Sequence, residues 1–141
     1  MFKTIIMATD GSPAVERLIV YTEHMARRTD AQVIVVHAYE FPSVYDWTDA
    51  YEILCEHHRK AVVEVAEDAV DALQQAGVQA VADVREGPAA QCIVEAARVH
   101  QADLIIMGCR AQKSDPMADA LLGSVSSAVL RNSYCPTLLI P

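Results

Sequence analysis

Three stretches of the chain are apolar almost without interruption, at residues 4–8, 32–38 and 103–108. Continuous apolar runs, as opposed to alternating ones, are typical of strands that are buried on both faces of a parallel sheet. A weaker run at 78–84 and a final run at 136–141 predict two further strands. The last run has proline at both ends, which favours a position at the edge of the sheet.

Amphipathic helical patterns separate the predicted strands. Ser12 and Pro13 suit the N-cap and the first position of the first helix. The longest pattern runs from 47 to 76 and ends at Gly77, and a third helix begins at Pro88. The side chains expected to face the core are, helix by helix, Val15, Leu18, Ile19, Thr22, Met25 and Ala26; Tyr51, Leu54, Cys55, His58, Ala61, Val62, Val65, Ala69 and Leu73; Ala90, Ile93, Val94 and Ala97; and Leu121, Leu122, Val125, Ala128 and Val129.

This alternation of strands and helices predicts a single α/β domain over residues 1–141, with a doubly wound five-stranded parallel sheet in the strand order 3-2-1-4-5. Strands 1 and 4 then flank the point at which the winding reverses. Ligands of such sheets bind there, at the carboxyl ends of the strands. The loops that follow strands 1 and 4 are therefore expected to face each other across one crevice, with the loop after strand 2 beside them.

Composition narrows the classes of partner. The chain has 141 residues, 52% of them hydrophobic, and a formal net charge of −8. Binding to nucleic acid usually requires a basic face, so the acidic balance argues against it. No apolar run reaches the length of a membrane span, and the N-terminal run meets Asp10 too early for a signal peptide. We therefore expect a cytoplasmic protein that binds neither nucleic acid nor a membrane.

The four cysteines, Cys55, Cys92, Cys109 and Cys135, form no C-x-x-C pair and suit neither a zinc site nor a disulfide framework. We expect free thiols that are mostly buried at Cys55, Cys92 and Cys135. Cys109 lies inside a glycine-containing loop and is expected to be more exposed. It is either an unreactive turn residue or a redox-sensitive thiol.

Two histidines and a cysteine lie close together in the second helical pattern. Only Cys55 and His58, three residues apart, share a helix face, whereas His57 points elsewhere. This spacing favours a packed core histidine at position 58, and no metal site is predicted. His37, at the end of a buried strand, is expected to be structural. Tyr45 and Trp47 either cover the crevice or pack within their own loop.

The chemistry for an anionic ligand is concentrated in the loop after strand 4 and the helix that follows. Gly108 allows a close approach of the backbone, and the helix start at Gly123-Ser124 presents free N–H groups. Arg110 and Lys113 add positive charge. Asp10 can accept hydrogen bonds from a sugar hydroxyl or an amine. A tight turn and a plain helix cap are the alternative, because neither G-x-x-x-x-G-K-[ST] nor G-x-G-x-x-G is present.

Over essentially its whole length the chain resembles the universal stress protein family. The resemblance is carried by KTIIMATDGSPAVERLIVYTEHMARRTDAQVIVVHAYE, by VREGPAAQCIVEAARVHQADLIIMGCR and, most specifically, by LLGSVSSAVLRNSYCPTLLIP. It implies a flavodoxin-like fold of the adenine nucleotide alpha hydrolase type. It also implies a homodimer that forms through the last strand, residues 136–141. Some members of the family bind ATP through the motif G-x2-G-x9-G-[ST], and others lack the motif.

The motif is present with two departures. Gly108 matches the first glycine and Gly123-Ser124 the last pair, but Ala111 replaces the second glycine, and eleven residues separate it from Gly123 where the motif has nine. An alanine that needs a positive φ costs roughly 1 kcal/mol or more. The resemblance implies these nucleotide-binding residues: Ala8, Thr9, Asp10, Ala38, Met107, Gly108, Arg110, Ala111, Gly123, Ser124, Val125 and Ser126.

Two main functions follow from these residues. The first is a regulator that binds ATP, with or without Mg²⁺, at the ends of strands 1, 2 and 4. The sequence places no nucleophile–base pair beside the phosphate loop, so no catalytic residue is predicted, and slow ATP hydrolysis is the most we expect. The second is a dimeric interaction module with an empty crevice, whose acidic surface recruits an unidentified protein. An enzyme on the same fold is the third and least favoured alternative.

Overall fold

The computed structural model describes residues 1–41, 49–109 and 122–141. The strands are β1 (Thr4–Thr9), β2 (Gln32–Tyr39), β3 (Ala80–Glu86), β4 (Leu104–Gly108) and β5 (Thr137–Ile140). The helices are α1 (Val15–Thr29), α2 (Asp49–Gln75), α3 (Ala89–Val99) and α4 (Ser124–Asn132). The strands pair in parallel in the order β3-β2-β1-β4-β5. This order confirms the predicted doubly wound sheet and the edge position of β5.

The central strands show why their sequences are continuously apolar. Ile5, Ile6 and Met7 of β1 and Ile105 and Ile106 of β4 are fully buried. Side chains from α1 and α2 cover one face of the sheet, and side chains from α3 and α4 cover the other. Successive strand residues point to opposite faces, so each strand residue meets an apolar layer.

α1 begins later than the sequence predicts. Ser12 is not the N-cap and Pro13 is not the first helical residue, because Ala14 holds the N-cap position and the helix begins at Val15. The Asp10 side chain directs this loop: its Oδ1 accepts the N–H of Ser12 at 2.9 Å. A turn follows, in which the N–H of Val15 donates to the carbonyl of Ser12 at 3.0 Å. The carboxylate at the end of β1 therefore shapes the entry into α1.

α2 ends next to Gly77, as the sequence predicts, and the way in which it ends makes β3 begin later than predicted. Gly77 has a φ of +82°. Its N–H bonds to the carbonyl of Gln74, and the N–H of Val78 reaches back to the carbonyl of Leu73 at 3.0 Å. This pair of bonds is a Schellman motif, so the backbone of Val78 belongs to the end of the helix and not to the strand. The strand therefore runs over Ala80–Glu86 and not over 78–84.

The predicted core face of α2 is correct only in the second half of the helix. The buried residues of α2 are Val62, Ala66, Ala69, Val70 and Leu73. Leu54, His58 and Ala61, which were predicted to face the core, are exposed. The residues of α2 before His58 lie beyond the end of β2, so their apolar side chains have no strand to pack against, and His58 and Ala61 border an open groove beside β2.

The starts of α3 and α4 also differ slightly from prediction. Pro88 is the N-cap of α3 and Ala89 its first residue. α4 begins at Ser124, and Gly123 is its N-cap in an extended conformation with a ψ of 158°. Leu122 consequently precedes the helix and is exposed, in contrast to the predicted core position. Leu121 lies outside the described residues.

All four cysteines are free, but burial is less general than predicted. Cys92 is buried against the sheet, whereas Cys55 and Cys135 are partly exposed. Cys55 lies on the first half of α2, and Cys135 lies in the turn before the edge strand β5, so neither is fully enclosed. Burial raises the pKa of Cys92 and of Cys135 above the ordinary value for a thiol.

Two carboxylates fasten elements of the sheet. Asp103 accepts hydrogen bonds from the backbone N–H groups of Lys3 and Thr4 at 2.7 and 3.0 Å, and these bonds lower its pKa. Asp83 on β3 accepts bonds from Arg85 and lies 2.7 Å from Nε2 of His100. Burial alone would raise the pKa of Asp83, but the contacts with Arg85 and His100 outweigh burial and lower it. Both groups stabilise the fold as carboxylates.

None of the helices in the three described segments combines the length and the apolar character that crossing a membrane would require.

Candidate functional site

A cavity of about 180 Å³ lies between the carboxyl ends of β1 and β4, at the point where the winding of the sheet reverses. This is the position predicted for a ligand in a doubly wound sheet. Nine of the twelve predicted site residues line it: Ala8, Thr9, Asp10, Met107, Gly108, Gly123, Ser124, Val125 and Ser126. The loops after β1 and β4 therefore do face each other.

The start of α4 forms the polar wall of this crevice. No side chain caps the helix, and the N–H groups of Ser124, Val125 and Ser126 have no acceptor among the described residues. Free N–H groups and the helix dipole together favour a negative charge at such a position. Because α4 begins directly beside the cavity, an anionic group in the cavity would meet these donors.

The hydroxyl of Ser126 has a structural role. Its Oγ donates to the carbonyls of Gly123 and Cys109, at 3.0 and 3.3 Å. The N–H of Gly123 also donates to the carbonyl of Cys109 at 3.0 Å. These bonds fix the helix start against the end of β4, and they leave the backbone N–H of Ser126, but not its hydroxyl, for a ligand.

Asp10 forms the opposite side of the crevice. Oδ1 accepts the N–H of Ser12, whereas Oδ2 accepts no hydrogen bond from the described residues. The hydroxyl of Thr9 accepts a hydrogen bond from the N–H of Gly11 at 3.1 Å, and this bond stabilises the turn that follows β1. Asp10 therefore both shapes the turn and presents a carboxylate oxygen to the cavity. The two interpretations of Asp10, turn cap and ligand contact, are compatible.

Ala38 lies in a neighbouring groove and not in the cavity itself. This more open groove has a volume of about 400 Å³ and is bounded by β2, α2 and the loop after β1. Asp10 lines both spaces, so the groove and the cavity adjoin. His37 is buried at the side of the groove, with Nδ1 3.1 Å from the carbonyl of Val62, in agreement with its predicted structural role.

Gly108 and Cys109 lie at the end of β4. A Cβ placed on Gly108 would meet no atom within 4 Å, so the glycine keeps the space beside the strand open. Cys109 is partly exposed and lines the cavity, and its N–H donates to the carbonyl of Ile140 at 3.1 Å. The end of β4 is thus held between β5 and α4 while its open side faces the cavity.

Some lining residues were not predicted from the sequence. Ala89 and Ile93 of α3 close one side of the cavity, and Ala14, the N-cap of α1, and Leu18 within α1 close the other. The alanines at the starts of α1 and α3, Ala14 and Ala89, could have indicated these positions in the sequence, because a helix start beside a ligand must leave room for it. Arg110, Ala111 and Lys113, together with Tyr45 and Trp47, lie outside the described residues.

The described lining therefore has one carboxylate, one helix start that favours an anion, and a mostly apolar floor. No group of three potential metal ligands occurs within residues 1–41, 49–109 and 122–141. The fold and the crevice together define a doubly wound α/β protein with a site shaped for a ligand that has both an apolar and an anionic part.

Comparison with known proteins agrees with this class. The model of the Universal stress protein family matches residues 1–141, and the chain belongs to that family. The universal stress protein in QAH/OAS sulfhydrylase 3'region of Thermus aquaticus is 36% identical over 142 residues, which cover 99% of either chain. Universal stress protein MJ0531 of Methanocaldococcus jannaschii is 30% identical, over 99% of this chain and 82% of its own length.

Solved structures share the fold. The hypothetical protein MJ0577 superposes with a TM-score of 0.84 at 23% identity, over 99% of this chain and 96% of its own. A universal stress protein in complex with cAMP has a TM-score of 0.76 at 25% identity, with the same coverage. The universal stress protein of Archaeoglobus fulgidus in complex with dAMP has a TM-score of 0.66 at 19% identity, over 100% of this chain and 98% of its own.

Proposed function

We propose that this universal stress protein binds an adenine nucleotide, ATP, at the carboxyl ends of β1, β2 and β4, and that it acts as a nucleotide-responsive regulator. The observation that carries the proposal is the uncapped start of α4, whose free N–H groups at Ser124–Ser126 border the same cavity as Asp10. A phosphate meets the helix start, and the sugar meets the carboxylate. The apolar floor at Ala8 and Met107 suits the remaining, uncharged part of the ligand.

The ligands of two structural neighbours support the choice of an adenine nucleotide. One neighbour is a complex with cAMP and another a complex with dAMP, and both share the fold of this chain. Within the proposal, Ala38 borders the base, and Arg110 and Ala111 contact the phosphates. Mg²⁺ is usually held by one or two carboxylates together with the phosphates of the nucleotide. Asp10 is the one carboxylate of the described cavity lining and is assigned to the sugar, so Mg²⁺ would be held mainly by the phosphates.

A regulatory role fits the side chains better than fast catalysis does. The described lining of the cavity contains no histidine, lysine or glutamate beside the start of α4 that could act as a general base. A ligand that binds one conformation more tightly than another shifts the balance between them, and this needs no chemical step. Slow hydrolysis of ATP is the most we expect.

We also propose that two copies associate through β5. This strand pairs only with β4 among the described strands, and its residues Thr137, Leu138 and Leu139 are partly exposed. An unpaired strand edge with apolar side chains favours pairing with another strand. Sedimentation velocity should detect a species with about twice the chain mass of 15.4 kDa. A monomer at every concentration tested would contradict the dimer.

The role of Asp10 is tested by combining a mutation with a change in the ligand. Asp10→Asn keeps an oxygen that can accept the N–H of Ser12 but removes the charge. If the carboxylate binds the sugar hydroxyls, we expect the variant to bind ATP about tenfold more weakly, because hydrogen bonds to charged groups contribute more than neutral ones. The unfolding midpoint in urea should be unchanged, and both quantities are measured on the same preparations.

2′,3′-Dideoxy-ATP, which lacks the hydroxyls, is the matched control. The wild-type chain should bind it more weakly than ATP, whereas Asp10→Asn should discriminate less between the two nucleotides, since the charge that strengthens the hydrogen bond to the sugar is gone. If the variant still discriminates fully between the two nucleotides, Asp10 does not contact the sugar, and this part of the proposed site is wrong.

A further inference from the structure

The first half of α2 extends beyond the sheet. β2 ends at Tyr39, whose ring lies 5.9 Å, centre to centre, from the ring of His58. The residues of α2 that precede His58 therefore continue past the end of the strand for about 13 Å, at 1.5 Å a residue. None of residues 49–61 is buried. This segment is a helical arm at the carboxyl edge of the sheet.

The arm carries its own apolar face. Ala50, Ile53, Leu54 and His57 are exposed and follow the i, i+3, i+4, i+7 spacing of a single helix face. Ile53 and Leu54 have 60% and 57% of their surface open to solvent. This outer α2 face lies about 155° round the helix axis from the stripe that packs on the sheet, at 100° a residue. It is therefore not an extension of the core.

The outer α2 face has an acidic border. Asp49, Glu52 and Glu56 lie along one side of it, and the nearest basic residues of α2, Arg59 and Lys60, follow at the end of the face that is nearer the sheet. Glu56 pairs with Arg59 at 3.3 Å, and both side chains are about half exposed. Arg59 offsets the charge of Glu56, so the negative charge of the border rests on Asp49 and Glu52, in a chain whose net charge is −8. It will attract positive groups and repel negative ones at low salt.

We propose that the outer α2 face is a docking surface for a basic amphipathic helix of a partner protein. A row of apolar side chains at i, i+3, i+4 and i+7 is complementary to the same row on another helix. The acidic border requires lysine or arginine beside the partner's apolar row. A second copy that presents the same outer α2 face does not meet that requirement, because its border is acidic too. This surface is separate from the crevice, so the proposal does not depend on nucleotide binding.

The test uses two synthetic probes. Each is a labelled helical peptide of about 18 residues with leucines at i, i+3, i+4 and i+7, long enough to hold helical structure when docked. One probe has lysine at its other positions and the other probe has glutamate. Fluorescence anisotropy should show that the full chain binds the lysine probe and not the glutamate probe. Raising the salt to about 0.3 M should weaken this binding, because charges at the surface are then screened.

Two variants locate the binding. The double variant Ile53→Ser with Leu54→Ser removes the apolar contacts without changing the charge, and should bind the lysine probe at least about tenfold more weakly, a loss typical of central apolar contacts. Val20→Ser on α1, another apolar residue with 64% of its surface exposed, is the matched control and should bind normally. Glu52→Lys with Glu56→Lys should reverse the preference between the two probes. Equal binding of the lysine probe by all variants would mean only a general attraction to an acidic chain, and would overturn the proposal.

Two further measurements on Ile53→Ser with Leu54→Ser test whether the face is covered by a second copy of the chain or by residues 42–48. A change in sedimentation would mean that a second copy of the chain covers the face. A shift in the fluorescence of Trp47, the only tryptophan in the sequence, would mean that residues 42–48 cover it. Either result would overturn the proposal. Unchanged sedimentation and fluorescence, together with loss of the lysine probe, would support it.

Discussion

Replacing Gly108 by phenylalanine is expected to abolish nucleotide binding while the chain stays folded. Gly108 lines the cavity, and a Cβ added to it would meet no heavy atom within 4 Å, so a larger side chain can leave the strand here without strain and its ring would occupy space beside the ligand. We expect the affinity for ATP to fall by more than about a hundredfold, because the ring takes the volume that the ligand needs. The affinity is measured by calorimetric titration, and folding by circular dichroism and the urea midpoint.

A size series and a distant control make this result specific. Gly108→Ala adds only one methyl group and should weaken binding much less than Gly108→Phe. Val81→Phe places the same ring on β3 at a position that is 55% exposed and away from the cavity, and it should bind ATP normally. Normal binding by Gly108→Phe would show that the nucleotide lies elsewhere.

Truncating Ile106 is expected to lower the stability of the fold strongly. Ile106 is fully buried in the central strand β4 and belongs to the apolar layer beneath α1 and α2. Ile106→Ala removes buried methylene and methyl groups and leaves a cavity that the sheet cannot close. We expect a loss of about 3–4 kcal/mol in the free energy of unfolding. Denaturation in urea, analysed as a two-state transition, measures it.

The matched control for Ile106→Ala is Val81→Ala in the edge strand β3. Val81 is more than half exposed, and its truncation should change the free energy of unfolding by less than about 0.5 kcal/mol. If the two variants lost similar stability, the sheet would be less closely packed at β4 than the buried side chains indicate. Such a result would contradict the two-layer core described above.

The sheet could be predicted from the sequence because its signals are long and agree with each other. The runs that became β1, β2 and β4 are apolar on both sides of the strand, and helices do cover both faces. Thr22, predicted on the inner face of α1, is fully buried although it is polar, because the helix spacing places it there. Element ends were harder to predict, since they depend on single hydrogen bonds such as that of Asp10 to Ser12.

α2 shows what periodicity alone does not reveal. The spacing of apolar residues is helical along its whole length, but a core face requires a strand beneath it. β2 ends at the level of His58, so Leu54 belongs to a different surface from Leu73 although both fit the pattern. The length of the neighbouring strand, which the helix sequence does not contain, decides where the core face stops.

The site could be predicted in part, for a topological reason. Once the strand order is known, the ends of β1 and β4 must be neighbours, so Asp10, Gly108 and the start of α4 line one cavity. The place of Ala38 in a separate groove depends on how α2 and the loop after β1 pack. The contributions of Ala89 and Leu18 depend on helix packing too. Small and apolar residues of this kind carry no chemical signal in a sequence.

The most direct test of nucleotide binding is a calorimetric titration of ATP, with and without Mg²⁺, into protein stripped of bound ligand by partial unfolding and refolding. We predict saturable binding with a Kd in the range of about 1–100 μM, a free energy of about 5.5–8 kcal/mol. That result would mean that the cavity functions despite Ala111 and the longer spacing to Gly123. No heat up to about 1 mM ATP, with the fold intact, would mean an affinity weaker than about 4 kcal/mol and would contradict the proposed function.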